Sequence, residues 1–229
     1  MRSSRAASYR TSRNTTRIMF GVASLVFLAA AIFLFPQQFA FPGCPEFILT
    51  IIVTAFMLNF SIPMPVGEGS LVHLVSLAAI LAYSPLSIIL AVVVGVIIGD
   101  SIRNFWKMSP AYRDVRRGDQ ISLLTFDLAK QVLTLLAAAA GYFAAGGSHP
   151  FTGFESNVSG LIGFSAGFYI ASTILVFIDL RLRGETVRRS FEENGISLFI
   201  LEFLPVPFAV FGALLNRQLG GFPIYVILS

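Results

Sequence analysis

Between Leu71 and Ile98 the chain holds no Lys, Arg, Asp or Glu, and a Ser84-Pro85 step divides it into two apolar runs, Leu71 to Tyr83 and Leu86 to Ile98. Crossing about 30 Å of hydrocarbon takes about 20 helical residues, so each run alone is too short. Proline at the join removes a backbone donor. In lipid, helix ends and irregular backbone survive only where other parts of the protein shelter them. A pair of this kind therefore requires a surrounding bundle. In front of it, the Pro- and Gly-rich stretch from Pro63 to Gly69 carries one acid, Glu68, in a Gly-Glu-Gly turn that reads as a solvated loop.

The rest of the chain has the composition of that bundle. Of 229 residues, 55% are hydrophobic and only 12% charged, against roughly 25% charged in soluble domains. The expected fold class is all-α, a polytopic membrane helix bundle of about seven or eight spans. Residues 1–17 form a basic cytoplasmic tail, expected to be disordered, and 18–229 the transmembrane domain. Spans are expected near 18–35, 46–62, 121–145, 161–180 and 196–215 around the short pair, with a last run from Leu219 that ends before it can cross. A basic segment followed by an apolar run also fits a cleaved signal peptide, and FPGC ending at Cys44 faintly resembles a lipoprotein cleavage box.

The net charge of +4 points to orientation in the bilayer rather than to nucleic acid. Of the 16 Lys and Arg, all but Lys130 and Arg217 fall in three groups: the N-terminus, the polar block 100–120 and the segment after Leu180. Basic loops stay on the cytoplasmic side, so the N-terminus is expected inside and the loops 37–45 and 148–159 outside. The predicted location is a membrane, crossed several times, with the N-terminus on the cytoplasmic side.

Small residues recur at fourfold spacing: Gly95 and Gly99; Ala137, Gly141 and Ala145; Gly163, Gly167 and Ala171. Such faces let helix backbones approach closely in lipid, either within the bundle or in a homodimer. Ionisable and polar groups inside spans are costly and mark candidate sites. Asp127, Lys130 and Gln131 share a helical face and suit an ion pair near the cytoplasmic interface, or a ligand or proton-coupling site. Glu202 is followed by Pro205 and Pro207, which free the carbonyls of Leu201 and Phe203; this suits a kink or a functional hinge. Glu68 and His73 lie at the mouth of the short pair, and Asn59 sits near the end of the span before it. His73 is a proton switch or a packing residue.

No phosphate loop, nucleophile elbow or paired metal-ligand motif is present. One cysteine and two histidines give no basis for a disulfide, zinc or haem site. No catalysis, cofactor or metal is expected of this stretch. Membrane lipid is the expected partner, with other membrane subunits or a second copy as further candidates, and the ligand unknown.

The order of SLVHLVSLAAILAYSPLSIILAVVVGVIIGD, LLTFDLAKQVLTLLAAAAGYFAAGG and LEFLPVPFAVFGALL resembles the multi-spanning membrane input regions that precede GGDEF, HD-GYP and histidine-kinase modules in bacteria. The resemblance implies a sensor or input domain relaying a signal to an output module beyond Ser229. The basic N-terminus, Pro/Gly turn and hairpin are also similar to the substrate-binding S-components of vitamin-type importers, although the turn falls on the cytoplasmic side. A non-catalytic accessory subunit of a larger membrane complex is the third reading.

Overall fold

The computed structural model describes residues 2–40, 43–59, 61–63, 68–70, 72–106, 117–149, 151, 153–184 and 205–219. Seven α-helices appear among them: α1 (Arg2–Leu34), α2 (Cys44–Asn59), α3 (Val72–Ala82), α4 (Pro85–Trp106), α5 (Arg117–Ala144), α6 (Val158–Arg183) and α7 (Pro205–Leu219). A 3-10 turn, Pro36–Gln38, follows α1. Strands β1 (Ser61–Pro63) and β2 (Glu68–Ser70) pair antiparallel, Pro63 opposite Glu68. Glu68 and Gly69 thus belong to an arm of a small ribbon rather than to a plain turn, and the regular structure of the described residues is otherwise helical.

Four helices are long and apolar enough to cross a membrane, over Ser12–Leu34, Pro85–Arg103, Asp119–Ala144 and Val158–Arg183. These mark the chain as a membrane protein. α2 and α3 are shorter apolar helices, and α7 has 15 residues.

Two expectations are corrected. The second run of the short pair is not short, because α4 passes through Asp100 and ends at Trp106 after 22 residues. The acid does not stop it, since Arg103 one turn later faces Asp100 at 3.8 Å. The N-terminal tail is helical from Arg2. It contains no Pro and no Gly before Gly21, and extending an existing helix is far easier than nucleating one.

Local sequence sets the other boundaries. α1 stops before Pro36, where the preceding residue disfavours helix. Pro45 and Pro85 lie at helix starts, where the missing N–H is not needed. α5 ends in a Schellman cap: Gly146 has φ 82°, its N–H reaches the Phe143 carbonyl at 3.0 Å, and Gly147 N–H reaches the Tyr142 carbonyl at 2.9 Å. Gly184, at φ 79° with its N–H on the Arg181 carbonyl, ends α6 similarly.

Packing follows the small-residue faces. α5 lies against α6, α2 against α4, α1 against α5, and α3 against α7 and α4. A Cβ on Gly141 would strike the Gly163 carbonyl, and one on Gly167 the Ala137 carbonyl. The small faces of α5 and α6 are therefore used on each other, inside one chain. Gly95 and Gly99 bring α4 onto α2, where added Cβ atoms would lie 2.7 Å from Thr54 Cβ and 3.0 Å from the Ala55 carbonyl.

α3 forms the centre. Val72, Val75, Leu77, Ala78 and Ala79 have no exposed surface. The helix has 11 residues, about 16 Å, so it cannot cross a bilayer and its ends must find partners within the protein. α1 and α6 are peripheral, with Val26, Phe33, Ile162 and Ile170 all more than half exposed.

Candidate functional site

The bundle has two polar ends. At the first, called here the basic end, α1, α5 and α6 meet through charged side chains. Asp127 and Lys130, one turn apart on α5, pair at 2.6 Å. Lys130 Nζ also lies 3.8 Å from Asp179 Oδ2 of α6 and 5.6 Å above the Phe126 ring, a cation–π distance. Arg17 of α1 reaches Asp179 Oδ1 at 3.6 Å. Arg183 completes the group, with NH2 at 2.8 Å and Nε at 3.1 Å from Asp179 Oδ2. The sequence-predicted pair is thus present, and the neighbours it meets are α6 and α1.

Asp179 and Arg17 are the residues that the sequence reading missed. Asp179 is the lone acid of an otherwise apolar span, four residues before Arg183; that spacing was its available signal. Arg17 ends the segment expected to be a disordered cytoplasmic tail, yet only 3% of it is exposed. Nearby, Asn14 Nδ2 donates to Asp119 Oδ1 at 2.5 Å, and Ser122 Oγ donates to the Asp119 carbonyl at 2.8 Å with Asn14 Oδ1 at 3.1 Å. These neutral and charged contacts bind the first turns of α5 to α1.

A second buried pair, Asp100 and Arg103, stands at the same end of α4. Asp100 is 2% exposed and within electrostatic reach of Asp127 and Lys130. Its Oδ2 has no hydrogen-bond partner among the described residues, and the same holds for Gln131 Oε1 and His73 Nδ1. His73 is packed edge-on against Phe168, with ring centroids 5.4 Å apart. It opens α3, about 15 Å from that helix's far end. Asn59 donates to the Ala55 carbonyl at 2.7 Å, a local bond that closes α2. Glu68 belongs to the ribbon. Pro205 and Pro207 open the described part of α7, where proline costs no helical bond. Glu202, Leu201 and Phe203 lie outside the described residues.

At the other end, the hinge end, the contacts that hold the Ser84-Pro85 step are neutral hydrogen bonds. Pro85 has no N–H to give Leu81, and the Leu81 carbonyl instead accepts from Phe151 N–H at 3.3 Å. The Tyr83 carbonyl accepts from His149 Nε2 at 2.7 Å, which assigns the proton to that nitrogen. Ser84 Oγ donates to the Gln38 carbonyl, and Ser87 Oγ lies 3.0 Å from the Ala40 carbonyl. Asn157 Oδ1 accepts from Ser148 N–H at 2.8 Å and Ser148 Oγ at 2.9 Å, with the Tyr142 hydroxyl also 2.8 Å away. Burial lowers the His149 pKa below its ordinary value, and the bond to Tyr83 partly offsets this. The Ser84-Pro85 step is thus tied to two separate loops.

Among the described residues no group of three or more His, Cys, Asp or Glu is placed to hold a metal ion. What the basic end offers is fixed charge of both signs in a poorly hydrated seam, where one carboxylate serves cations from different helices. Comparison with family models, with curated proteins and with solved structures finds no match to this chain.

Proposed function

We propose that this chain is a membrane-embedded input domain, held in a bacterial cytoplasmic membrane with its N-terminus on the cytoplasmic side, that relays a signal to a cytoplasmic output or partner. The observation that carries the reading is the sharing of Asp179 by Arg17 of α1, Lys130 of α5 and Arg183 of its own helix. Lys130 in turn has two carboxylates to choose between, Asp127 at 2.6 Å and Asp179 at 3.8 Å. A slight displacement of α1 or α6 then exchanges ion-pair partners rather than stranding a charge, and two arrangements of similar energy are what a relay needs. The neutral hinge end holds its geometry while this happens.

The test uses the full chain in lipid nanodiscs, with spin labels at Ile18→Cys and Phe177→Cys in a Cys44→Ser background. Two distance populations are expected, collapsing to one when Lys130→Met removes the exchangeable cation. A single distribution that Lys130→Met leaves unchanged would count against the relay.

A further inference from the structure

The outer face of α6 runs apolar through Ile162, Ile170 and Ile174 and then changes character at Arg181. Ile174, Phe177, Ile178, Arg181 and Leu182 line a groove of about 320 Å³, at the small end of the range of ligand sites, roughly 300–1,000 Å³. Its lining is hydrocarbon, to which Arg181 adds its aliphatic stem. Asp179 turns inward to the ion network and holds Arg183 by an ion pair, but Arg181, on the opposite side of the helix, is exposed and pairs with no carboxylate among the described residues. Only Leu180 separates Arg181 from Asp179, so it lies at the depth where the chain's buried charges begin.

An aliphatic helix face followed by an exposed arginine that pairs with no carboxylate among the described residues is complementary to one kind of molecule, a lipid with an acyl chain and an anionic phosphate. We propose that this face of α6 is a binding site for a single anionic phospholipid, its chain along Ile174, Phe177 and Ile178 and its phosphate on Arg181. Guanidinium suits phosphate because it offers a planar, paired set of donors. A basic residue near the bilayer surface favours anionic over zwitterionic lipid. Occupancy of this site does not require that the bundle relay a signal.

The full chain, purified in mild detergent, is exposed to mixed micelles of phosphatidylglycerol and phosphatidylcholine, and the retained lipid is quantified by native mass spectrometry. One phosphatidylglycerol is expected to be retained in preference to phosphatidylcholine, and excess inorganic phosphate is expected not to displace it. Arg181→Gln should lower the retention about fivefold, the factor that one interfacial basic residue contributes. Ile174→Trp should fill the groove and lower retention with Arg181 intact, while Arg217→Gln at the hinge end leaves it unchanged. Equal retention of the two lipids, or no effect of Arg181→Gln, would overturn the site. So would efficient self-crosslinking of Ile174→Cys in a Cys44→Ser chain, which would place a second copy on this face.

Discussion

At the basic end, helices far apart in sequence meet through charges 3.6 and 3.8 Å apart; at the hinge end, loops meet a proline-interrupted backbone through neutral hydrogen bonds. The two chemistries have different consequences. A carboxylate accepts several cations over a range of distances, so the basic end tolerates rearrangement. A backbone carbonyl orphaned by proline accepts from a donor in one direction, so the hinge end does not. Where they are buried, neither kind of group can fall back on water. The two ends thus differ in how many arrangements their contacts allow.

The largest effect should come from removing the shared carboxylate. Asp179→Asn leaves Arg17 buried with no carboxylate partner, a change expected to cost about 3–5 kcal/mol. Chemical denaturation in detergent measures the loss. Hydrogen exchange should rise in peptides covering 12–20, 122–131 and 175–183 while those around 81–87 stay protected; faster exchange at both ends alike would abolish the distinction. Next in size is Asn157→Ala, which strips the acceptor from the Ser148 donors and is expected to cost about 2–3 kcal/mol. Here the exchange should rise around 142–157, and the loss should not depend on salt.

Smaller again is the coupling between Asp127 and Lys130. The side chains are about a third exposed, so screening trims the pair, and a double-mutant cycle should return about 0.5–1.5 kcal/mol. Additive single variants would show that the pair is incidental. The smallest effect is that of His149. The unfolded chain takes up this proton near pH 6.5, and burial makes the folded chain take it up at lower pH. Between those values the unfolded state binds more protons, so stability rises with pH. The contribution is present above about pH 6.5 and is lost as the pH falls below it. His149→Gln, with an amide donor toward Tyr83, should flatten that slope when unfolding is followed from pH 7.5 to 5.

Much of this arrangement was legible in the sequence because it depends on local spacing. The steps from Ala137 to Gly141 and from Gly163 to Gly167 marked the faces where α5 and α6 meet. Asp127 and Lys130 had to share a face, and Ser84-Pro85 had to break a helix. What escaped depends on which distant groups meet. Asp179 pairs with Arg17, more than 160 residues earlier in the chain, and periodicity within one helix carries no trace of its partner. Asp100 looked like the end of a span because an acid in lipid is costly, but Arg103 lies close enough for α4 to continue. The bonds from His149 and Phe151 to the hinge likewise join loops to a helix some 65 to 70 residues away.

The tie between α1 and α6 is most directly tested by a double-mutant cycle on Arg17→Met and Asp179→Asn, read from unfolding in detergent. A shared buried contact predicts that the two changes are strongly non-additive, with a coupling of about 1–3 kcal/mol. Additive losses, with α1 exchanging independently of α6, would contradict it.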